Sequence, residues 1–152
     1  YSAGISACQR GGQWQGALSL LRDLREAKLR LNIICYNSAI GACEHSKQWQ
    51  HALSLLGEIR EVELEPDIFS YTAGISACEK GGQWRQALLL LSSAGDEKLG
   101  ANTFGYNYAV SACAKGGEWQ LALSLLGRLL RAELEPNVFS YNAGISACGK
   151  AG

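Results

Sequence analysis

The chain has 152 residues, with 14 Lys+Arg against 14 Asp+Glu and a formal net charge of zero. Apolar residues make up 47% and charged ones 18%, a globular mixture that excludes a disordered segment. No apolar run approaches the roughly 20 residues of a membrane-spanning helix, and zero net charge argues against retention on nucleic acid by a bulk positive field.

The sequence repeats itself. Tyr1, Tyr36, Tyr71, Tyr106 and Tyr141 are 35 residues apart each time. The same step links Cys8, Cys43, Cys78, Cys113 and Cys148, then Trp14, Trp49, Trp84 and Trp119, then Ala17, Ala52, Ala87 and Ala122. Such columns define one architectural unit used again and again. The units are read as 1–32, 33–67, 68–102, 103–137 and a truncated 138–152, as expected of a segment of a longer array.

Each unit reads as two helices. In the second, Tyr36 to His45 carries Ala39, Ile40 and Cys43 at helical spacing. After a polar break, Trp49, Ala52, Leu53, Leu56 and Ile59 form the stripe of an amphipathic helix ending near Glu61–Glu63. The break is Gly11-Gly12, Gly81-Gly82 and Gly116-Gly117 in other units, where glycine ends a helix at little cost. Ser46-Lys47 replaces it here, so this turn is expected to be strained or differently shaped. Pro66 and Pro136 lie in the connectors, where a proline interrupts no helix ladder. Two such short helices cannot bury their apolar faces alone, so neighbours must stack. The expectation is an all-α fold, a right-handed α-solenoid of 35-residue helix-turn-helix repeats.

Five of the six cysteines occupy one column on the first helix, about one repeat apart. Stacked helices lie about 10 Å apart, beyond the roughly 7 Å limit for a disulfide, and no pair has zinc-site spacing. They read as small thiols buried in a helix–helix seam, in a reducing compartment. Cys35, alone outside that column, is placed in a connector, where other copies have Ser70, Gly105 and Ser140. The Trp column reads as core or inter-repeat packing, and His51, which has no equivalent elsewhere, as a surface residue. Neither a nucleophile elbow, a phosphate-cradling loop nor a metal spacing appears, so the segment reads as neither an enzyme nor a cofactor binder.

The run Tyr36-Asn37-Ser38-Ala39-Ile40, then Ala52-Leu53-Ser54-Leu55-Leu56 and Leu64-Glu65-Pro66-Asp67, resembles the pentatricopeptide repeat. Tyr71-Thr72-Ala73-Gly74-Ile75 and Asn137-Val138-Phe139-Ser140-Tyr141 repeat it, and the resemblance covers the whole chain. The tetratricopeptide repeat shares the helical-hairpin logic, but its period is 34 and its Trp falls in the first helix.

The resemblance implies binding of single-stranded RNA along a concave surface of first helices, one base per repeat. Two side chains then read each base: the residue after the Tyr and the last residue of the same repeat. Carried over, these are Ser2 with Asn32, Asn37 with Asp67, Thr72 with Asn102, Asn107 with Asn137, and Asn142 alone. They are groups with suitable donors and acceptors, and they vary while the Tyr, Cys, Trp and Ala columns do not. The family's pairing rules imply 5′-A-U-A-C followed by a pyrimidine. Each polar residue also suits helix N-capping or connector solvation.

Two further columns fit the resemblance. Ile34, Phe69, Phe104 and Phe139 stand where the family places a base-flanking wedge, although burial between repeats would suit them equally. Arg10, Lys80, Lys115 and Lys150, with His45 in the second unit, end the first helices and suit phosphate contact or the helix dipole. The family's usual compartments imply a mitochondrion or plastid. The second reading, from another class, is a protein–protein scaffold accepting a peptide, which acidic connectors such as Glu61-Val62-Glu63-Leu64-Glu65 favour. A row of Asn, Thr and Ser suits RNA better than a peptide.

Overall fold

A computed structural model describes residues 1–100 and 102–152. The described residues form nine α-helices and no strand. In chain order they are α1 (Ser2–Arg10), α2 (Trp14–Glu26), α3 (Ile33–His45), α4 (Trp49–Glu61), α5 (Ile68–Lys80), α6 (Trp84–Asp96), α7 (Thr103–Lys115), α8 (Trp119–Arg131) and α9 (Val138–Ala151).

Both kinds of helix end in the same way. At the close of α3, Gln48 N–H donates back to Cys43 O at 2.8 Å and Lys47 N–H to Glu44 O at 3.1 Å. At the close of α4, Leu64 N–H reaches Ile59 O at 3.0 Å and Glu63 N–H reaches Arg60 O at 3.1 Å. This is the Schellman arrangement, which needs one residue in the left-handed region. After the first helices that residue is Gly12, Lys47, Gly82 and Gly117; after the second helices it is Lys28, Glu63, Lys98 and Glu133.

The turn at Ser46-Lys47 therefore has the same shape as the glycine turns, and Lys47 carries the strain with φ of 57°. What differs is the packing on it. A Cβ at Gly81 or Gly116 would collide with the indole of Trp49 or Trp84. Ser46 already has that Cβ, and its Oγ donates to Gly12 O at 2.7 Å. Trp14, the equivalent indole, instead stacks on His51, with ring centroids 4.8 Å apart. His51 is exposed, and its partner is Trp14.

The first helices α1, α3, α5, α7 and α9 pack against one another in a single row. Each second helix packs on the first helix of its own unit and of the next, while the second helices keep their backbones apart and α2 meets α4 through side chains, Trp14 on His51 and Arg25 on Glu58. The close-packed row is the inner side of the solenoid. Small residues permit that approach: Ala39, Ala42 and Cys43 on α3, Ala77 and Cys78 on α5, Ala112 and Cys113 on α7 are all buried. The bulk comes from the second helices, through Leu21, Leu55, Ile59, Leu125 and Leu129.

First helices begin about one turn before the Tyr column, α3 at Ile33 rather than Tyr36. Cys35 is accordingly not in a connector. It lies in the first turn of α3, buried, with its N–H held by the Asn32 side chain at 3.0 Å. Cys43, Cys78 and Cys113 are buried thiols, while Cys148 is exposed on α9. Burial pushes the Cys43 and Cys113 thiols up to about 11 and Cys78 to about 12, from 9.0.

The tyrosines share a column but not an environment. Tyr71 Oη donates to Glu97 Oε1 at 2.7 Å and accepts from Arg60 Nη2 at 2.7 Å. One repeat earlier, Val62 stands in place of Glu97, and Arg25, in place of Arg60, is drawn to Glu58 at 2.9 Å. Tyr36 Oη is left buried with no hydrogen-bond partner. Burial raises its ionisation above the usual 10.0, with Arg25 partly opposing.

Two outcomes are expected. Tyr71→Phe should lower the stability read from urea unfolding by about 1–2 kcal/mol, whereas Tyr36→Phe should leave it unchanged or slightly higher. Unfolded thiols ionise near 9.0 and the buried ones near 11–12, so their contribution is intact below pH 9 and is lost as pH rises toward 12. A thiol reagent added to the native protein at pH 8 should modify Cys148 and leave Cys43, Cys78 and Cys113 until denaturant is added.

Candidate functional site

The inner face begins at the N-termini of the first helices. Asn32, Asp67, Asn102 and Asn137 are the N-cap residues of α3, α5, α7 and α9. In each, a side-chain Oδ1 accepts from the backbone N–H three residues on: Cys35 at 3.0 Å, Ser70 at 2.9 Å, Gly105 at 2.6 Å and Ser140 at 3.0 Å. Capping and site geometry are thus one fact. Once Oδ1 is committed to the helix, the other terminal atom is fixed in direction. It is an NH2 donor in Asn32, Asn102 and Asn137, and a second acceptor oxygen in Asp67.

Those free atoms lie beside the residues that follow the Tyr column. Asn37 Nδ2 donates to both Asp67 oxygens at 3.1 and 3.2 Å. Asn102 Nδ2 donates to Thr72 Oγ1 at 2.8 Å, and Thr72 in turn donates to Ile68 O at 2.7 Å. Asn107 and Asn137 are joined through Ser140, whose Oγ donates to Asn107 Oδ1 and lies 3.1 Å from Asn137 Oδ1. Ser2 and Asn32 make no direct bond. Asn32 caps Cys35, and Cys35 Sγ lies 3.7 Å from Ser2 Oγ. Asn142 is exposed on α9, with no paired residue.

The third helical residue adapts to each pair. Ser70 completes a capping box with Asp67 and donates to Asn37 Oδ1 at 2.6 Å, as Ser140 does for Asn107. This bond orients the Asn37 carboxamide with its NH2 toward Asp67. Gly105 has no side chain, and a Cβ there would crowd Asn102 Oδ1 at 3.1 Å. Asn102 can therefore reach the short Thr72 hydroxyl directly. Sequence reasoning passed over this column because its members, Cys35, Ser70, Gly105 and Ser140, look like connector residues until the helix start is known.

The four apolar residues two before the Tyr column are exposed rather than buried: Ile34 60%, Phe69 73%, Phe104 64% and Phe139 46%. They line the same grooves as the polar pairs. A groove of about 350 Å³ lies between Ile34 and Phe69, with Asn37, Thr72 and Glu44 on its walls. A second, of about 220 Å³, lies between Phe104 and Phe139 over Asn107 and Asn137. Tyr108 borders both. Asn107 itself is only 3% exposed, so its carboxamide is more enclosed than that of Asn37.

Arg10, His45 and Lys150 are exposed at the ends of α1, α3 and α9, with no ion-pair partner among the described residues. Lys80 and Lys115 are already paired, with Glu44 Oε1 at 2.8 Å and Glu79 Oε1 at 2.5 Å. The two glutamates escaped sequence reasoning, although Glu44 and Glu79 themselves repeat at the 35-residue step.

A row of hairpins with capped first helices and small residues along one seam defines a helical-repeat solenoid. The sequence profile of the pentatricopeptide repeat domain matches residues 19–80 and 89–151, and that of the PPR repeat matches 1–29. The chain belongs to the pentatricopeptide repeat family. A search of curated protein sequences returns no match. Among solved structures, the fold is similar to that of the pentatricopeptide repeat protein PPR10 in complex with an 18-nt psaJ RNA element, with a TM-score of 0.83 and 24% identity over 99% of this chain. The chain spans 22% of the length of PPR10, and the structure of PPR10 from maize gives a TM-score of 0.77 at 23% identity. The PPR domain of Arabidopsis thaliana protein-only RNase P 1, in complex with tRNA, gives 0.83 at 14% identity, covering 97% of this chain and 81% of that one.

Ser70→Ala removes one arm of the capping box and the bond that orients Asn37. It should cost about 1–2 kcal/mol in urea unfolding, more than Ser54→Ala on the exposed side of α4.

Proposed function

We propose that the chain binds single-stranded RNA along its inner face, one nucleotide per repeat. The observation that carries this is the row of polar pairs, accompanied in each repeat by an exposed Ile or Phe. Bases have two faces to stack and one edge to bond, and each repeat offers both. Stacking on such side chains contributes about 1–3 kcal/mol per base. Family membership supports the reading, as do the similar solved structures, one holding a psaJ RNA element and another a tRNA.

The caps supply a physical basis for base choice. Asp67 presents an acceptor, which suits the N3–H of uracil. Asn32, Asn102 and Asn137 present donors, which suit the N1 of adenine or the N3 of cytosine. The residue after the Tyr then separates purine from pyrimidine by reach, short in Ser2 and Thr72, longer in Asn37 and Asn107. The resulting target is 5′-A-U-A-C, followed by a pyrimidine opposite Asn142.

Binding of that oligonucleotide, measured by fluorescence anisotropy beside each single-base swap, tests the assignment. Each swap should weaken binding by about 1–3 kcal/mol through an unpaired polar group. Asp67→Asn keeps the cap and exchanges acceptor for donor, so the second position should change from uracil to cytosine. Equal affinity for all swaps, or no change of preference in Asp67→Asn, would overturn base reading.

A further inference from the structure

A second polar ladder runs along the inner face, one turn or more from the base-facing pairs. Glu44 Oε1 accepts from Ser76 Oγ at 2.8 Å and from Lys80 Nζ at 2.8 Å. One repeat on, Glu79 Oε1 accepts from Ser111 Oγ at 2.7 Å and from Lys115 Nζ at 2.5 Å. Each cluster joins two adjacent first helices. Each carboxylate comes from the unit before the lysine it holds. Glu79 is 5% exposed, and Glu44 lies on the wall of the groove that also holds Asn37 and Thr72. In the first, fourth and fifth units the glutamate is replaced, by Gln9, Ala114 and Gly149, and Lys150 has no acidic partner among the described residues.

We infer that Glu44 and Glu79 are internal competitors for the phosphodiester backbone. This rests on the RNA reading above and extends it to residues outside the base-facing pairs. A lysine held by a fixed carboxylate neutralises no phosphate until it changes partner, and the carboxylate then faces an approaching phosphate with like charge. The Ser hydroxyl keeps the carboxylate in place after the lysine departs, so the repulsion persists. Grip on the backbone is thereby weakened at the third and fourth units, and affinity there is left to the base contacts. Recognition gains selectivity at the expense of strength, because sequence-independent attraction is what backbone charge supplies.

The test uses Glu44→Gln with Glu79→Gln, which keep side-chain size and the Ser acceptor. The control is Glu65→Gln with Glu135→Gln, the same change of net charge on exposed connectors. Two probes are used: the 5′-A-U-A-C-U ribo-oligonucleotide, and an abasic phosphodiester strand of equal length, which has a backbone and no bases. With both probes the Glu44/Glu79 pair should bind about five- to tenfold more tightly, and the slope of log affinity against log salt should steepen by about 0.7 per released lysine. The control pair should stay within about twofold of the parent. Adding Lys80→Ala and Lys115→Ala should abolish the gain in the Gln background and cost little in the parent. Unchanged or weaker binding by the Glu44/Glu79 pair overturns the inference and leaves base reading standing. A gain on the abasic strand without discrimination among swapped bases sustains the inference and removes base reading. No binding of either probe by any variant overturns both.

Discussion

One hydrogen bond, repeated four times, organises this molecule. The side-chain oxygen of Asn32, Asp67, Asn102 or Asn137 accepts a backbone N–H in the first turn of the next helix. Such a cap stabilises a helix by about 1 kcal/mol, yet its larger consequence is geometric. It ends the connector, sets where the inner helix begins, and orients the second atom of the capping side chain. Because the cap belongs to one helix and the residue after the Tyr to the preceding one, each polar pair spans two hairpins. The pair exists only when the hairpins are stacked, so the proposed base reading depends on the same contacts as folding.

Much of this was legible in the sequence. The 35-residue columns gave the hairpin, the turn and the stacking, because a unit too small to bury its own core must repeat what its neighbour needs. The polar pairs came from the resemblance to the pentatricopeptide repeat, with which their variation against a constant frame agrees. Other features depend on distances that a linear pattern does not carry. Cys35 looked like a connector residue because the cap at Asn32, not hydrophobic periodicity, fixes the start of α3. Whether Phe69 and Phe104 stack outward or pack inward could not be settled by composition; the close approach of Ala- and Cys-lined helices leaves them no room inside. The capture of Lys80 by Glu44 was equally hidden, since the two are on different helices and only their common period hints at it.

Differences between repeats are as informative as their likeness. Ser46 for glycine moves Trp14 onto His51, and Val62 for glutamate leaves Tyr36 Oη without a partner. Neither change alters the backbone of the unit in which it occurs, since the Schellman ends survive in both. The frame tolerates local loss because each hairpin is held by its own helix termini and by two neighbours, so one imperfect contact is shared among several intact ones. The cost falls on stability at that junction.

The asymmetry between the two rows of helices has a mechanical meaning. The inner helices pack backbone to backbone throughout, while the second helices keep their backbones apart, α2 and α4 being linked by the side chains of Arg25 and Glu58 and of Trp14 and His51. An object packed along one edge and open along the other bends about the packed edge, like a hinge whose leaves can spread. Small rotations at each junction change the advance per repeat with little disturbance of the buried Ala and Cys seam. A ribbon of this kind can change its pitch and distributes that adjustment over every joint.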